Sequence, residues 1–382
     1  MDLIPKPGQV VSAAGNLATQ VLRGGLADLR PMPSTLVHDG PLISVRHYRP
    51  VASVREHGDP VLLVAPLAVP ARCYDLRRGC SLVEHLVGRG RPTYLVEHGR
   101  VDVGDRSLGV ERWGDDLVPD AVRTVSAHAG GRPVHLVGWS LGGTFALLAA
   151  TDPDLPIGSV TVVATPADVD LVPLVAPPRP LLDPTAGRGT LPRAVRAAAA
   201  AAGPVTPLVS WAAQLGSVQR LALTPAARLV HADDADYLAQ LEAVAALAAG
   251  TTAYRGRAFG QVYHRFLAGA DLDLSGVTAP TLVVAGATDG IAPVAAVQAL
   301  LPRLTGVDDV QLEVVPGGHL GSLTGRAART DTWPAIDEWV EQWSGRPDPS
   351  DAPVAPTIGT IDTIGTDPQR RHRSQASRAL RD

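Results

Sequence analysis

Apolar residues fall along this chain in two rhythms, and the switch between them predicts its architecture. Pro60-Val61-Leu62-Leu63-Val64-Ala65, Val134-His135-Leu136-Val137, Val160-Thr161-Val162-Val163-Ala164 and Thr281-Leu282-Val283-Val284-Ala285 are short, nearly continuous apolar runs. Runs of that length are the pattern of parallel strands covered on both faces. Thr93-Tyr94-Leu95-Val96 and Val310-Gln311-Leu312-Glu313-Val314-Val315 complete the set. Leu42-Ile43-Ser44-Val45-Arg46-His47-Tyr48 alternates at every second residue instead, which predicts a strand of a hairpin at a sheet edge. Between the runs lie helix-like stretches over residues 10–30 (ended near Pro31 and Pro33), Ser81–Val87 and Trp113–Ala129. Strands alternating with helices predict an α/β fold, with a mostly parallel, doubly wound sheet and right-handed crossovers.

One interval breaks the rhythm. Residues 166–276 separate two strands that a simple crossover joins in far fewer residues. The interval is rich in alanine and proline and reads as helical in pieces, over 192–202, 207–215, 235–249 and 256–267. It is expected to be an inserted helical lid over the carboxyl edge of the sheet. After Trp343 the composition turns polar, with proline and glycine, and ends in the basic Arg370-Arg371-His372-Arg373. Too little apolar area is available there to offset ordering entropy, so disorder is expected over 344–382. The expected organisation is an N-terminal helical segment over 1–33, an α/β domain over 34–343 and that tail.

Composition narrows the picture. A chain of 382 residues suits one large α/β domain with an insertion. Its net charge of −4 offers no electrostatic basis for binding nucleic acid or anionic lipid. Two cysteines, Cys73 and Cys80, cannot form a disulfide framework, so a reducing compartment is expected. The opening residues lack the basic start and apolar core of a secretory signal, and no run approaches the roughly 18 apolar residues of a membrane span. A cytoplasmic protein without an integral membrane segment follows.

The chemistry is concentrated in Gly138-Trp139-Ser140-Leu141-Gly142-Gly143, which leaves an apolar run and enters an alanine- and leucine-rich helix pattern. In a strand–turn–helix context, Gly-x-Ser-x-Gly predicts a nucleophile elbow that lifts Ser140 above the sheet end in strained backbone geometry. A serine hydroxyl needs a base, and the base an orienting acid. On such a fold both follow the nucleophile along the chain, each in a loop after a strand. Asp289 follows the Thr281 run, in Gly286-Ala287-Thr288-Asp289-Gly290, and His319 follows the Val310 run, in Pro316-Gly317-Gly318-His319-Leu320-Gly321. The expected catalytic set is therefore Ser140, Asp289 and His319. Asp168 and Asp170 are the fallback acids. His135 lies within a strand and reads as a core residue, while His231 and His264 lie in the interval. The oxyanion donors are expected to be the N–H of Leu141 and that of Leu67 or Ala68 in Pro66-Leu67-Ala68-Val69-Pro70. This chemistry calls for no metal and no cofactor.

Several separated segments carry a further likeness. Cys73-Tyr74-Asp75-Leu76, the helix pattern Cys80–Gly90, the elbow, Ala164-Thr165-Pro166-Ala167-Asp168 and Gly318-His319-Leu320-Gly321 together resemble the poly(3-hydroxyalkanoate) synthase branch of the α/β-hydrolase superfamily. The likeness covers roughly residues 55–325. It implies the α/β-hydrolase fold, a small-molecule acyl ester or acyl-coenzyme A substrate, and acid and base roles for Asp289 and His319. In that family the nucleophile is a cysteine; here Ser140 stands in its place. The expectation is a serine hydrolase or acyltransferase acting on apolar esters or thioesters, with 3-hydroxyacyl groups the favoured substrates. The alternatives are a polyester synthase with a serine nucleophile and a catalytically idle partner subunit of a synthase, with self-association into a homo-oligomer left open.

Overall fold

The computed structural model describes residues 7–50, 53–67, 69–99, 112–168, 171–172, 225–250 and 272–345. Its centre is an eight-stranded sheet in the order β1-β2-β4-β3-β5-β6-β7-β8. The strands are β1 (Ser34–Asp39), β2 (Ile43–Tyr48), β3 (Val61–Val64), β4 (Thr93–His98), β5 (Val134–Trp139), β6 (Ile157–Val163), β7 (Thr281–Gly286) and β8 (Val310–Val315). The hairpin β1–β2 joins β4 antiparallel, and every pairing from β4 through β8 is parallel.

Side chains of successive strand residues point to opposite faces. Leu62 and Val64, Leu136, Val160 and Val162, and Val283 and Ala285 enter one core. Val61, Leu63 and Ala65, Val137 and Trp139, Val163, and Leu282 and Val284 enter the other. The first core is closed by α3 (Val118–His128), α4 (Leu141–Ala149) and α7 (Val294–Gln298) through residues such as Val122, Phe145 and Val297. The second is closed by α2 (Leu82–Gly88), α8 (Gly321–Thr324) and α9 (Thr332–Trp343) through Leu86, Leu323, Ile336 and Val340. Continuous apolar runs are thus the signature of strands that serve two cores at once.

Local signals set the helix ends. Ser81 caps α2, its Oγ accepting the Glu84 N–H at 2.9 Å. The helix expected over 10–30 is α1 (Pro7–Arg23), and it ends seven residues earlier than its pattern suggests. Gly24, at φ +74°, adopts the left-handed conformation that closes helices. Beyond it, the Glu242 carboxylate accepts the N–H groups of Leu26 and Ala27, at 2.6 and 2.9 Å, and so holds an extended path. The stretch expected to be helical from Trp113 begins as one turn of π-helix, Arg112–Leu117, before α3. There a Cβ on Gly114 would meet Leu148 at 2.8 Å, so the glycine lets this turn press onto α4.

β6 and β7 are neighbours in the sheet, so the chain between them returns to the next position. Within it the structure describes α5 (Pro225–Val230) and α6 (Ala235–Ala249), the latter over the residues expected from sequence. Asp234 caps α6 by accepting the Tyr237 N–H at 2.9 Å. Asp236 beside it accepts from Arg77 and Arg329 at 2.6 Å and from Arg326 at 3.0 Å. The expected helices over 192–202, 207–215 and 256–267 lie outside the described residues, as do 346–382 of the expected tail.

Candidate active site

The elbow is built by removing side chains. A Cβ on Gly138 would lie 2.4 Å from the Gly143 Cα, and one on Gly142 would lie 2.1 Å from the Val64 carbonyl oxygen. One on Gly143 would lie 2.0 Å from Thr165 Oγ1. β5, α4, the end of β3 and the residue after β6 therefore meet at distances that only glycine permits. Ser140, between β5 and α4, has φ +54° and ψ −124°, a conformation that a non-glycine residue occupies only under constraint. Two bonds supply the constraint: the Ser140 N–H donates to Val163 O at 2.8 Å, and Thr165 Oγ1 donates to Ser140 O at 3.0 Å.

Asp289 sits in the turn after β7. Its Oδ1 accepts the N–H groups of Ile291 and Ala292, both at 2.8 Å, so the carboxylate is oriented by backbone. Its Oδ2 faces His319 Nδ1 at 2.8 Å. His319 follows β8, where Gly317 at φ +123° turns the loop back over the sheet end. A Cβ on Gly286 would lie 2.7 Å from the Gly317 carbonyl, so the acid and base loops are in direct contact. His319 Nε2 lies 3.0 Å from Ser140 Oγ. With Nδ1–H donated to the carboxylate, Nε2 keeps its lone pair and accepts from the serine hydroxyl. Asp289 and His319 are both 5% exposed, which shields their pairing from water.

The structure thus brings together the three residues that the sequence singled out. Of the expected oxyanion donors, Leu141 is the first residue of α4 and so has an N–H without an intrahelical acceptor. Leu67 is buried in the turn after β3, whose end touches the elbow at Gly142. Ala68 lies outside the described residues. His98, at the end of β4, donates Nε2–H to Ala65 O at 2.7 Å and so ties down the start of that turn. Burial pushes its pKa down to about 4, which keeps the ring neutral.

The competing residues lie elsewhere. His135 is buried between Ser159 Oγ at 2.8 Å and Ser344 Oγ at 3.1 Å, a core histidine with both ring nitrogens used. His231 packs on the Tyr237 ring at 4.2 Å. Asp289, not Asp168, faces the base, and Asp170 and His264 lie outside the described residues. Sequence reasoning passed over Thr165 and Trp139. The doubled glycine after the serine was the available signal for the first, because a second glycine marks a second close approach.

No group of three or more His, Cys, Asp or Glu residues that could hold a metal ion occurs among the described residues. No helix among them is long and apolar enough to cross a membrane.

Residues 79–325 match the alpha/beta hydrolase fold family, across the elbow and both of the loops that meet it. The chain belongs to that family. Curated relatives make the likeness narrower. The poly(3-hydroxyalkanoate) polymerase subunit PhaC of Allochromatium vinosum is 25% identical, over 79% of this chain and 86% of its own length. The subunit of the same name from Thiocystis violacea is 24% identical, over 87% of this chain and 95% of its own length. The solved structure of a proline iminopeptidase from Mycobacterium smegmatis is similar at a TM-score of 0.46 and 21% identity, covering 81% of this chain and 98% of that one. This α/β hydrolase is therefore an enzyme similar to poly(3-hydroxyalkanoate) polymerase subunits.

Proposed function

We propose that the enzyme is a serine-dependent acyl hydrolase or acyltransferase that acts on apolar esters or thioesters, with 3-hydroxyacyl thioesters the favoured substrates. The observation that carries the reading is the continuous chain from the Ser140 hydroxyl through both nitrogens of His319 to a backbone-oriented Asp289. As His319 Nε2 takes the hydroxyl proton, Ser140 Oγ bonds to the acyl carbon, and Asp289 offsets the positive charge that forms on the ring. The N–H groups of Leu141 and of Leu67 or Ala68 meet the carbonyl oxygen as it becomes an oxyanion. The carbon–sulfur or carbon–oxygen bond then breaks, and the leaving group takes the proton from His319. Water, activated by the same nitrogen, cleaves the acyl-serine and returns the hydroxyl.

The preference for 3-hydroxyacyl thioesters rests on the PhaC relatives and on the dispersed motifs that resemble their family. The same likeness favours one second reading, a polyester synthase with a serine nucleophile. Chain growth needs the hydroxyl of a second acyl group to outcompete water, and a serine ester that stands beside an activating histidine favours water. We assign the interval 166–276 the role of a lid over this site. Incubation with 3-hydroxybutyryl-coenzyme A decides between the readings. Release of coenzyme A with free 3-hydroxybutyrate supports the hydrolase, whereas release with high-molecular-weight polyester overturns it in favour of the synthase. Turnover of short oxyesters alone confines the PhaC likeness to the scaffold.

A further inference from the structure

We propose that Trp139 is the positioning residue for His319, fixing the base through its indole N–H; the inference rests on the triad reading above. Trp139 is the last residue of β5, directly before Ser140, and is fully buried in the core beneath the site. A buried indole N–H requires an acceptor, and Trp139 Nε1 finds the His319 carbonyl oxygen at 3.0 Å. The two rings lie 5.1 Å apart at 43°. The residue before the nucleophile therefore grips both the main chain and the ring of the base.

The sequence around His319 explains the need for that grip. Gly317 and Gly318 precede it and Gly321 follows, so the loop has wide backbone freedom and little side-chain packing of its own. Its position comes from outside. Besides Trp139, Ser322 Oγ donates to His319 O at 3.1 Å, and Trp333 Nε1 donates to Leu323 O at 2.8 Å. Gln240, on α6, donates to Thr324 O at 2.8 Å. Of these groups, Trp139 alone shares a strand end with the nucleophile. A shift of β5 then carries Ser140 and the base together, which keeps the 3.0 Å approach of Nε2 to Oγ intact. The adjacent indole also favours the imidazolium that forms during proton transfer, since an aromatic ring within about 6 Å attracts a cation.

Two replacements separate the hydrogen bond from the packing. Trp139→Phe removes the N–H and part of the ring. Incorporation of 3-benzothienylalanine at position 139 keeps the fused ring and replaces the N–H by sulfur. Both proteins should fold, judged by circular dichroism. In both, the His319 Nδ1–H proton, followed by NMR, should exchange with water several-fold faster than in the wild type. Fluorophosphonate labelling and kcat should fall about tenfold with KM nearly unchanged, the size of effect that one lost hydrogen bond produces. A benzothienyl protein with wild-type proton exchange and wild-type labelling overturns the proposal. If wild-type Ser140 takes no label at all, the triad reading fails by itself, and proton exchange at His319 still decides the role of Trp139.

Discussion

His319 Nε2 stands 3.0 Å from Ser140 Oγ, although 179 positions separate the two residues along the chain. Parallel strands make the meeting: Ser140 leaves β5, Asp289 leaves β7 and His319 leaves β8, all at carboxyl ends on one side of the sheet. In open α/β sheets the loops at that edge converge on ligands. The backbone around Ser140, Asp289 and His319 is held by bonds that do not use the Ser140 hydroxyl or the His319 ring, so single side-chain replacements should disable chemistry and spare the fold.

Asp289→Asn is the sharpest such replacement. The amide can accept the Ile291 and Ala292 N–H bonds but presents no anion to the histidine, and it favours the wrong ring tautomer. By analogy with other triads, kcat should fall by about 10⁴-fold, with the melting temperature nearly unchanged. Steady-state kinetics with scanning calorimetry checks both halves.

The elbow glycines should differ in severity. Gly142→Ala sets a methyl 2.1 Å from the Val64 carbonyl, a backbone atom that cannot step aside, whereas Gly143→Ala meets the Thr165 hydroxyl at 2.0 Å. Gly143→Ala should cost about 1–3 kcal/mol, and Thr165→Ala should relieve part of that cost in the double variant. Gly142→Ala should give little folded protein and find no such relief. Urea unfolding of the set, arranged as a double-mutant cycle, tests the assignment.

What the sequence made legible follows from how each element meets its surroundings. β3, β5, β6 and β7 are buried and mainly apolar because helices cover both faces, and such runs are hard to mistake. β1 lies at the edge, with Leu36 45% exposed, and its residues carry no comparable pattern. α9 escaped notice although Trp333, Ile336, Trp339 and Val340 all reach the core. Ser140, Asp289 and His319 were readable because chain order and strand ends locate them without any knowledge of contacts. The grip of Trp139 on His319 exists only once the sheet has formed, and no local pattern encodes it; that of Thr165 on Ser140 leaves only the doubled glycine as its trace in the sequence.

Asp337 should matter for stability rather than for activity. Its carboxylate, 6% exposed, accepts from Arg89 Nε at 2.8 Å and from Arg91 Nε at 3.2 Å, and the Arg91 side chain is only 4% exposed. These guanidinium groups hold the Asp337 pKa below the usual carboxylate range against the opposing effect of burial. Asp337→Ala leaves the buried Arg91 with Glu341 and should cost about 3 kcal/mol of stability, with turnover of the folded fraction unchanged. Chemical denaturation against specific activity separates the two effects.

Mild acid should weaken the fold. Burial pushes the His135 pKa from 6.5 down to about 4, with Asp59 opposing and Arg91 adding to the shift. Between those values the unfolded chain binds a proton that the folded chain resists. The contribution is therefore fully present above pH 6.5 and is lost as pH falls toward 4, by about 3 kcal/mol at most. His98 shifts in the same direction and adds to the slope. Melting temperature should decline across this window, and His135→Gln should flatten the decline. An unchanged slope in that variant would assign the acid sensitivity to other groups.

If Ser140 is an activated nucleophile, covalent labelling shows it without any knowledge of the substrate. A fluorophosphonate probe should add one adduct per chain, mapped by peptide mass spectrometry to Ser140. Labelling should vanish in Ser140→Ala and slow by orders of magnitude in His319→Ala, with both variants folded. An unlabelled wild type, or an adduct that persists in Ser140→Ala, rules out Ser140 as the nucleophile.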